Sequence, residues 1–376
     1  MATNWPFGAK PEIYPDGPLF AALRTIGEDQ LTNSALIDVF PLEMHWDTLD
    51  PFLFCAHHND AYPSGDANMG PKASLTGRAI GQDFSGKDGW SMYHGDTVPG
   101  FPQHPHRGFE TVTVARKGFI DHADSLGASA RFGEGDLQWM TAGRGVVHSE
   151  MFPLRKTDQD NPTELFQIWL NLPARSKMVE SYFTMFWRHQ IPSLTTKDAN
   201  GGETTVVSYC GSLPGDNTSE GKETPAPPPD SWAAEDANKV TIWTIKMAPG
   251  ATWTLPATDS PCSRRLYFFS GESADVSGQT VPSGNGMTLD AGSDVDVHNG
   301  NSESEFLLLQ GKPIAEPVAQ YGPFVMNTEQ EIRQAFHDYQ KTGFGGWPWP
   351  DNAPTHPRDS SRFASHPDGR LEKQND

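Results

Sequence analysis

The sequence predicts an all-β protein with two domains, each a small antiparallel barrel or sandwich. Three observations lead to this prediction. The chain has 376 residues, which is long for one domain and comfortable for two. Its 36 glycines and 32 prolines indicate many short elements joined by turns. The third observation is a rhythm of strand, glycine turn and strand that occurs in both halves of the chain.

The first half carries the clearer strand pattern. Residues 31–54 mix apolar and polar side chains at short period and are interrupted by prolines, which favours strands over a helix. A β-branched run at 111–114 begins the next series of strands. Turns at 117–118, 133–136 and 143–145 separate the members of this series, since each turn contains glycine.

A long segment at 59–102 is rich in Gly, Asp and Pro and reads as loop. A loop of this length inside a compact domain is usually a lid, a binding loop or a source of contacts with a neighbour. It leads directly into a histidine-rich stretch, so we predict a lid. We place it as an insertion in an N-terminal, metal-binding domain at 1–180.

Residues 181–345 are predicted to form a second domain of the same kind, a weak internal duplication of the first. An excursion at 211–238 has little apolar content and a proline run, so we expect it to be exposed. At the positions that correspond to the metal-competent residues described below, only His298 could bind a metal. We therefore expect no metal site in this domain.

A short helix is predicted near the C-terminus. Thr328 and Glu331 form a capping-box pattern at its start, and Gly343 follows its end. One face of this helix carries the apolar residues Ile332, Ala335, Phe336 and Tyr339. The remaining residues, 346–376, form a polar, proline-containing tail that we expect to be draped over the protein or disordered.

Charge and composition exclude several classes of function. The formal net charge of −20 disfavours nucleic acid and anionic membrane surfaces as direct partners, because both reward clustered Lys and Arg. Three widely spaced cysteines without a CxxC pattern argue against disulfides and against a structural zinc site. No stretch has the length of a membrane span or the apolar core of a signal peptide. We expect a soluble cytoplasmic protein, or a nuclear one in a eukaryote.

Two clusters of metal-competent side chains stand at the two ends of residues 104–151. His104 and His106 form one pair with spacing i, i+2, and His148 and Glu150 form another. In a strand, side chains two residues apart point to the same face. Two such strands side by side would bring four ligands to one point. A single histidine is usually a structural residue, but two spaced pairs on glycine-turned strands predict a metal site.

The ligand types favour a redox-active ion. Neutral imidazoles with one carboxylate, leaving a coordination position open, suit iron(II), and another divalent transition metal is the alternative. The carboxylate is either Glu150 or Glu110, which keeps the parity of the first histidine pair. The other would be a hydrogen-bond partner or proton acceptor. Gly108 shares that parity and would leave room above the ion, while His122 is expected to be a surface strand residue.

Four segments resemble the pirin family of the cupin superfamily. They are HPHRGFETVT at 104–113, GEGDLQWMTAGRGVVHSEMF at 133–152, LFQIWLNLP at 165–173 and YGPFVMNT at 321–328. The resemblance runs from about residue 49 to residue 345 and is most specific in 104–173. It implies two stacked cupin-type antiparallel β-barrels, of which only the N-terminal one binds metal. The segments 59–102 and 211–238 exceed the usual pirin pattern.

The resemblance also implies a ligand set and an activity. The residues that match the family's iron site are His104, His106, His148 and Glu150, which favours Glu150 over Glu110. The implied activity is a quercetin 2,3-dioxygenase type, in which O2 cleaves a flavonol and a carboxylate, Glu150 or Glu110, accepts the hydroxyl proton. We expect an aromatic mouth lined by Phe52, Phe54, Phe101 and Phe109.

Two other functions are consistent with the sequence. Some pirins look like metal- or redox-sensing regulators, in which iron would alter a surface that binds a protein partner without turnover. The acidic composition suits a protein partner better than DNA. The third possibility is a double-barrel scaffold without metal, which elemental analysis would identify.

Overall fold

The computed structural model describes residues 35–214, 223–258 and 261–374. The strands of the first half are β1 (Leu36–Pro41), β2 (His45–Trp46), β3 (Phe52–Tyr62), β4 (Gly100–His106), β5 (Phe109–Lys117), β6 (Phe119–Asp124), β7 (Ser129–Gly133), β8 (Asp136–Thr141), β9 (Val146–Met151), β10 (Asn161–Asn171), β11 (Tyr182–Phe186), β12 (Ser193–Lys197) and β13 (Glu203–Cys210). Those of the second half are β14 (Thr241–Met247), β15 (Thr252–Leu255), β16 (Ser263–Ser270), β17 (Ser273–Val276), β18 (Gln279–Pro282), β19 (Asn285–Leu289), β20 (Val295–Asn299), β21 (Ser304–Gly311), β22 (Ala319–Tyr321), β23 (Phe324–Met326), β24 (Phe363–Ser365) and β25 (Leu371–Lys373). The helix α1 spans Glu329–Thr342, and short 3-10 turns occur at Lys87–Gly89, Ala174–Ser176, Trp232–Ala234, Asp236–Asn238 and Gly343–Gly345.

The predicted all-β class with two cupin domains is confirmed, but the sheets form sandwiches and do not close into barrels. In the first sandwich, a sheet ordered β11-β8-β5-β10-β3-β2 faces a sheet ordered β25-β24-β7-β6-β9-β4. In the second, the order β1-β19-β16-β21-β14-β13-β12 faces β15-β20-β17-β18. Strands β22 and β23 form a separate hairpin.

Two strands cross the boundary that chain order would suggest. Strand β1 pairs with β19 of the second sandwich, and β11 pairs with β8 of the first. The domain limits at residues 180 and 345 stay predictions, and strand pairing places β11 with the first domain. The predictions for residues 1–34, and for 215–222 of the expected excursion, lie outside the described residues.

Side-chain alternation on β5 gives its sheet two buried faces. Val112 and Val114 pack with Tyr267 and Leu307 of the second sandwich in one apolar cluster, so the two large sheets meet face to face. We call this interface the domain seam. Arg116 reinforces it, since its guanidinium pairs with Glu164 of the first sandwich and Glu305 of the second. The opposite face of β5 points into the first sandwich.

The interiors of the two sandwiches differ in chemistry. A large hydrophobic cluster lies inside the second sandwich and includes Ile245, Leu266, Met287, Val295 and Phe306. The first has an apolar part, but polar side chains such as Thr113, Gln138 and His148 are also buried there. Polar groups are costly to bury, so the polar interior makes the first sandwich the candidate location of a functional site.

The loop predicted at 59–102 is shorter in the structure, because β3 continues to Tyr62 and β4 begins at Gly100. The segment between them, residues 63–99, packs against the first sandwich and has a polar core of its own. Arg78 is buried, donates to Asp83 Oδ2 at 2.9 Å and lies 3.3 Å from the ring centre of Trp90. Tyr93 donates to Asp60 Oδ2 at 2.8 Å on β3. That the inserted segment closes over a site as a lid stays a prediction.

The C-terminal helix forms as the sequence predicts. Thr328 caps it: its Oγ1 accepts from the Glu331 amide at 3.2 Å, and the Glu331 carboxylate accepts from the Thr328 amide at 2.8 Å. Gly343 ends it in the left-handed region with φ 56°. Among the described residues, no helix is both long and apolar enough to span a membrane.

The tail is draped over the first sandwich and adds strands β24 and β25 to one of its sheets. Arg131, wholly buried on β7, forms an ion pair with Asp121 at 2.7 Å. The same guanidinium donates to the carbonyls of His356 at 3.0 Å and Pro357 at 2.7 Å. The buried guanidinium of Arg131 therefore holds the tail against the first sandwich, and we call this contact the clasp.

Candidate metal centre

Three histidines converge inside the first sandwich. His104 and His106 lie on β4 and His148 on the adjacent β9, where His104 and His148 are direct cross-strand partners. One nitrogen from each ring lies within 4.8 Å of the others, and the ring centres are 4.4 to 4.9 Å apart. Cross-strand neighbours on one face approach this closely, so antiparallel pairing turns two distant sequence motifs into one cluster.

The protein holds these imidazoles neutral and oriented. Burial lowers the pKa of His104 to about 4 and holds the pKa of His106 and His148 well below the ordinary value. Neutral imidazole is the form that binds metals. The Nδ1 atom of His104 lies 2.8 Å from the Pro102 carbonyl, and that of His106 lies 3.4 Å from the Pro323 carbonyl. With Nδ1 turned toward a carbonyl, Nε2 is the nitrogen of each ring that could coordinate an ion.

His148 shows that the residues fit a metal. Both of its ring nitrogens are buried, and neither has a hydrogen-bond partner among the described residues. An unsatisfied buried nitrogen costs about 1–3 kcal/mol, and a metal bond would satisfy one of them. Three nitrogen donors in this arrangement could hold a transition-metal ion.

Glu150 lies at the edge of the histidine cluster. Its Oε2 is 4.0 Å from His148 Nε2. From the opposite sheet, Gln167 Nε2 donates to Oε2 at 3.3 Å, and Thr113 Oγ1 lies 3.0 Å from Oε1. Thr113 Oγ1 is also 2.6 Å from Gln167 Oε1, so its single proton has two acceptors. Burial raises the pKa of Glu150.

Glu110, the alternative carboxylate, lies on the other face of its sheet, in the domain seam. Its oxygens accept hydrogen bonds from Thr141 Oγ1 at 2.6 Å and Ser231 Oγ at 2.5 Å. Burial raises its pKa to about 7. The structure therefore does not bring Glu110 to the histidines. Parity counted from His106 is wrong here because two residues separate β4 from β5, and these strands belong to different sheets.

Gly108 was predicted to leave room above the ion, but its role in the structure is different. Its φ is +85°, and a Cβ atom built there would lie 1.9 Å from the Val325 carbonyl oxygen. The absent side chain thus makes room for strand β23 instead of for a ligand above the ion. Only glycine combines this backbone conformation with so close an approach.

His122 was expected at the surface and is instead fully buried beside the cluster. It is the cross-strand partner of Glu150, and its ring centre is 5.6 Å from that of His148. Its Nε2 lies 3.2 Å from Asp124 Oδ2. The sequence signal was present: His122 and Asp124 form another i, i+2 pair that a strand places on one face.

Aromatic side chains surround the histidines. Phe109 and Trp169 lie 5.0 and 5.5 Å from the His106 ring centre, and Phe54 packs 4.9 Å from Trp169. Phe101 lies 6.4 Å from His104 and stacks at 5.2 Å on Tyr93 of the insertion. Sequence reasoning missed Trp169 and Tyr93.

A cleft of about 470 Å³ opens beside this aromatic wall. Its lining residues include Phe54, His45, Phe52 and Asn171, and it reaches the histidines only through the contact of Phe54 with Trp169, since none of the three clustered histidines lines it. Phe52 also packs in the domain seam. Clefts of roughly 300–1,000 Å³ are typical of small-molecule sites, so this one is large enough for a ligand of that class.

The second sandwich has no comparable cluster among the described residues. His298 on β20 is exposed and alternates with buried Val297, so it points away from the interior. The face that would correspond to the histidine cluster is filled by hydrophobic side chains.

Known families match most of the described chain. Residues 36–170 match the family described as Pirin, and residues 242–345 match the Pirin C-terminal cupin domain. A Pirin-like protein of Solanum lycopersicum is 38% identical over 250 residues, which cover 65% of this chain and 77% of the relative. Pirin of Homo sapiens is 35% identical over 259 residues, covering 67% and 81%.

Solved structures share the fold. A quercetin 2,3-dioxygenase from Acinetobacter baumannii superimposes with a TM-score of 0.63 and 23% identity, covering 83% of this chain and 99% of that one. A second crystal structure with the same description gives a TM-score of 0.59 with 18% identity, covering 87% and 98%. At these identities the similarity establishes the double-cupin architecture.

Proposed function

Because the chain belongs to the pirin family, we propose that it is a metal-dependent dioxygenase that opens flavonols such as quercetin with O2. The observation that supports this most is the buried cluster of neutral histidines beside one carboxylate. A protein that only needed a stable core would gain nothing from three unprotonated imidazoles facing one another.

Iron(II) is the proposed ion, with another divalent transition metal as the alternative. His104, His106 and His148 would hold it through ring nitrogens, and Glu150 would complete the set through Oε2, the oxygen nearer to His148. A bound ferrous ion supplies Lewis-acid and redox chemistry. A set of three imidazoles and one carboxylate leaves coordination positions for other molecules.

The chain's own residues would accept the proton of a substrate hydroxyl. Thr113 can turn its hydroxyl proton from Glu150 Oε1 to Gln167 Oε1, which is nearer. Glu150 Oε1 is then available to take a proton from a substrate hydroxyl. Gln167 keeps the other carboxylate oxygen in place through its amide.

The surroundings suit a planar aromatic molecule. Trp169 lies edge-on to His106, Phe54 packs against Trp169, and Phe54 lines a cleft with the volume of a small-molecule site. The aromatic walls also limit access of water to the histidines, which strengthens electrostatic interactions there. The other catalytic candidate, Glu110, faces the domain seam and has no part in this proposal.

The test is aerobic incubation of ferrous protein with quercetin, following loss of the flavonol absorbance and uptake of O2. We expect turnover by the wild type and by His298→Ala, in which an exposed histidine outside the cluster is replaced. We expect none above the metal-only background for His106→Ala. Equal rates for His106→Ala and the wild type, or no turnover by any of them, would contradict the proposal.

A further inference from the structure

Lys177 is a buried cation that the proposed chemistry does not use. Its side chain is almost wholly inaccessible, with 1% exposed. The ammonium donates to three neutral oxygens: the Gly108 carbonyl at 2.8 Å, Asn171 Oδ1 at 2.7 Å and the Val325 carbonyl at 3.2 Å. An ammonium has three donors, and here each of them has an acceptor.

These three acceptors come from distant parts of the chain. Gly108 follows the histidine strand β4, Asn171 ends β10 and Val325 lies on β23. Strands β4 and β10 belong to opposite sheets of the first sandwich. The chain passes from one of these sheets to the other at Gly108, between β4 and β5. Lys177 therefore ties this crossing and the end of β10 to a segment that follows the second sandwich in sequence.

The connection reaches a proposed metal ligand through consecutive residues. His106 Nδ1 faces the Pro323 carbonyl, and the next residue, Arg107, exchanges backbone hydrogen bonds with Pro323 and Val325 at 3.4 and 3.0 Å. Gly108 then packs so closely on the Val325 carbonyl that no side chain could fit. Lys177 closes this contact by binding the Gly108 and Val325 carbonyls together.

We propose that Lys177 is a positioning residue for the metal centre: it holds the turn after β4 against β23 so that the His106 ring keeps its orientation toward His104 and His148. This inference rests on the metal site of the proposed function. Burial also lowers the pKa of Lys177, to about 8, while the negative charges of Glu316 and Glu331 act in the opposite direction.

A purely structural role would affect stability but not the bound metal. Partners that orient a ligating histidine typically change metal affinity by about 10- to 100-fold when removed. Lys177→Met keeps most of the side-chain length and removes all three donors. We expect it to weaken Co(II) binding about tenfold or more and to alter the visible Co(II) spectrum, because the His106 ring is no longer fixed.

The matched control is Arg264→Met. Arg264 is equally a buried cation, 2% exposed, and it donates to Gln310 Oε1 and to the Pro256 and Ser293 carbonyls. It lies on β16 of the second sandwich, so its loss should lower the melting temperature without changing Co(II) affinity or spectrum. Co(II) affinity is measured by competition with a chromophoric chelator, and folding by circular dichroism.

Asn171→Ala is the milder variant in case Lys177→Met does not fold. It removes one of the three acceptors and should weaken Co(II) binding less than the lysine replacement, with the same change in the spectrum. Wild-type affinity and spectrum in every folded variant at these two positions would overturn this inference alone. If the wild type and His106→Ala both failed to bind Co(II), the proposed metal site itself would be wrong, and this inference with it.

Discussion

The buried carboxyl of Glu110 makes the stability of this protein depend on pH in a direction that can be worked out. Its pKa rises from the ordinary 4.5 to about 7 in the folded chain because burial in the domain seam disfavours its charged form. Below pH 4.5 both the folded and the unfolded chain hold the proton. Between 4.5 and 7 the unfolded chain releases it while the folded chain retains it, so stability falls as pH rises.

The magnitude follows from the size of the shift. Each pKa unit corresponds to about 1.4 kcal/mol, so Glu110 should lower the free energy of unfolding by about 3 kcal/mol between pH 4.5 and pH 8. Glu110→Gln has no proton to release. Its amide can still accept from Thr141 and donate to Ser231, the two hydroxyl partners of the carboxyl.

The assay is urea unfolding of the metal-free protein, followed by tryptophan fluorescence at steps from pH 4.5 to pH 8. We expect the free energy of unfolding of Glu110→Gln to gain about 3 kcal/mol relative to the wild type over this range. The variant should also bind metal as the wild type does. Parallel pH curves would refute the buried, protonated carboxyl, and loss of metal binding would refute its placement away from the histidines.

Three further predictions concern the site, the turn after β4 and the C-terminal tail. Thr113→Val should weaken metal binding about tenfold in a chelator titration. Thr141→Val removes a hydroxyl on the seam face of the same sheet and should leave metal affinity unchanged. Equal effects of the two variants would contradict the placement of Thr113 and Thr141 on opposite faces. Both Gly108 and Gly127 have φ +85°, but only at Gly108 would a Cβ atom collide with a neighbour, the Val325 carbonyl oxygen. Gly127→Ala should lower the free energy of unfolding by about 1–2 kcal/mol, and Gly108→Ala should lower it by more. Similar losses in urea unfolding would contradict this. Arg131→Met should expose the tail to limited proteolysis read by mass spectrometry, because a buried carboxylate loses its cation at a cost of about 3–5 kcal/mol; an intact tail would show that the clasp is not needed.

The histidine cluster was largely predictable from the sequence because each of its two motifs is local. His104 with His106, and His148 with Glu150, are i, i+2 pairs, and strand alternation decides on which face each pair lies. Antiparallel pairing of the two strands then brings the histidines together. The capped C-terminal helix was predictable for the same reason, since a capping box is read from four residues.

What the sequence did not reveal depends on contacts between distant segments. Parity cannot be carried from His106 to Glu110, because the chain changes sheets at Gly108. The burial of His122 depends on its strand lying beside β9, and the clasp on the tail depends on Arg131 meeting carbonyls more than 200 residues away. None of these partners can be inferred from spacing along the chain.

The exchange of β1 and β11 across the predicted limits has a similar origin. Both are short strands with ordinary β patterns, and pattern alone does not identify the sheet that a strand joins. The sequence also could not show whether the sheets close into barrels, because side chains alternate along a strand in the same way in a sandwich and in a barrel.

Elemental analysis of the purified chain tests the central claim most directly. The wild type and His298→Ala, purified anaerobically and exchanged free of loose metal, should each contain about one transition-metal ion per chain. His148→Ala, which removes the ring whose nitrogens have no other partner in the described structure, should contain almost none. Equal metal content in His148→Ala and the wild type would contradict the proposed centre.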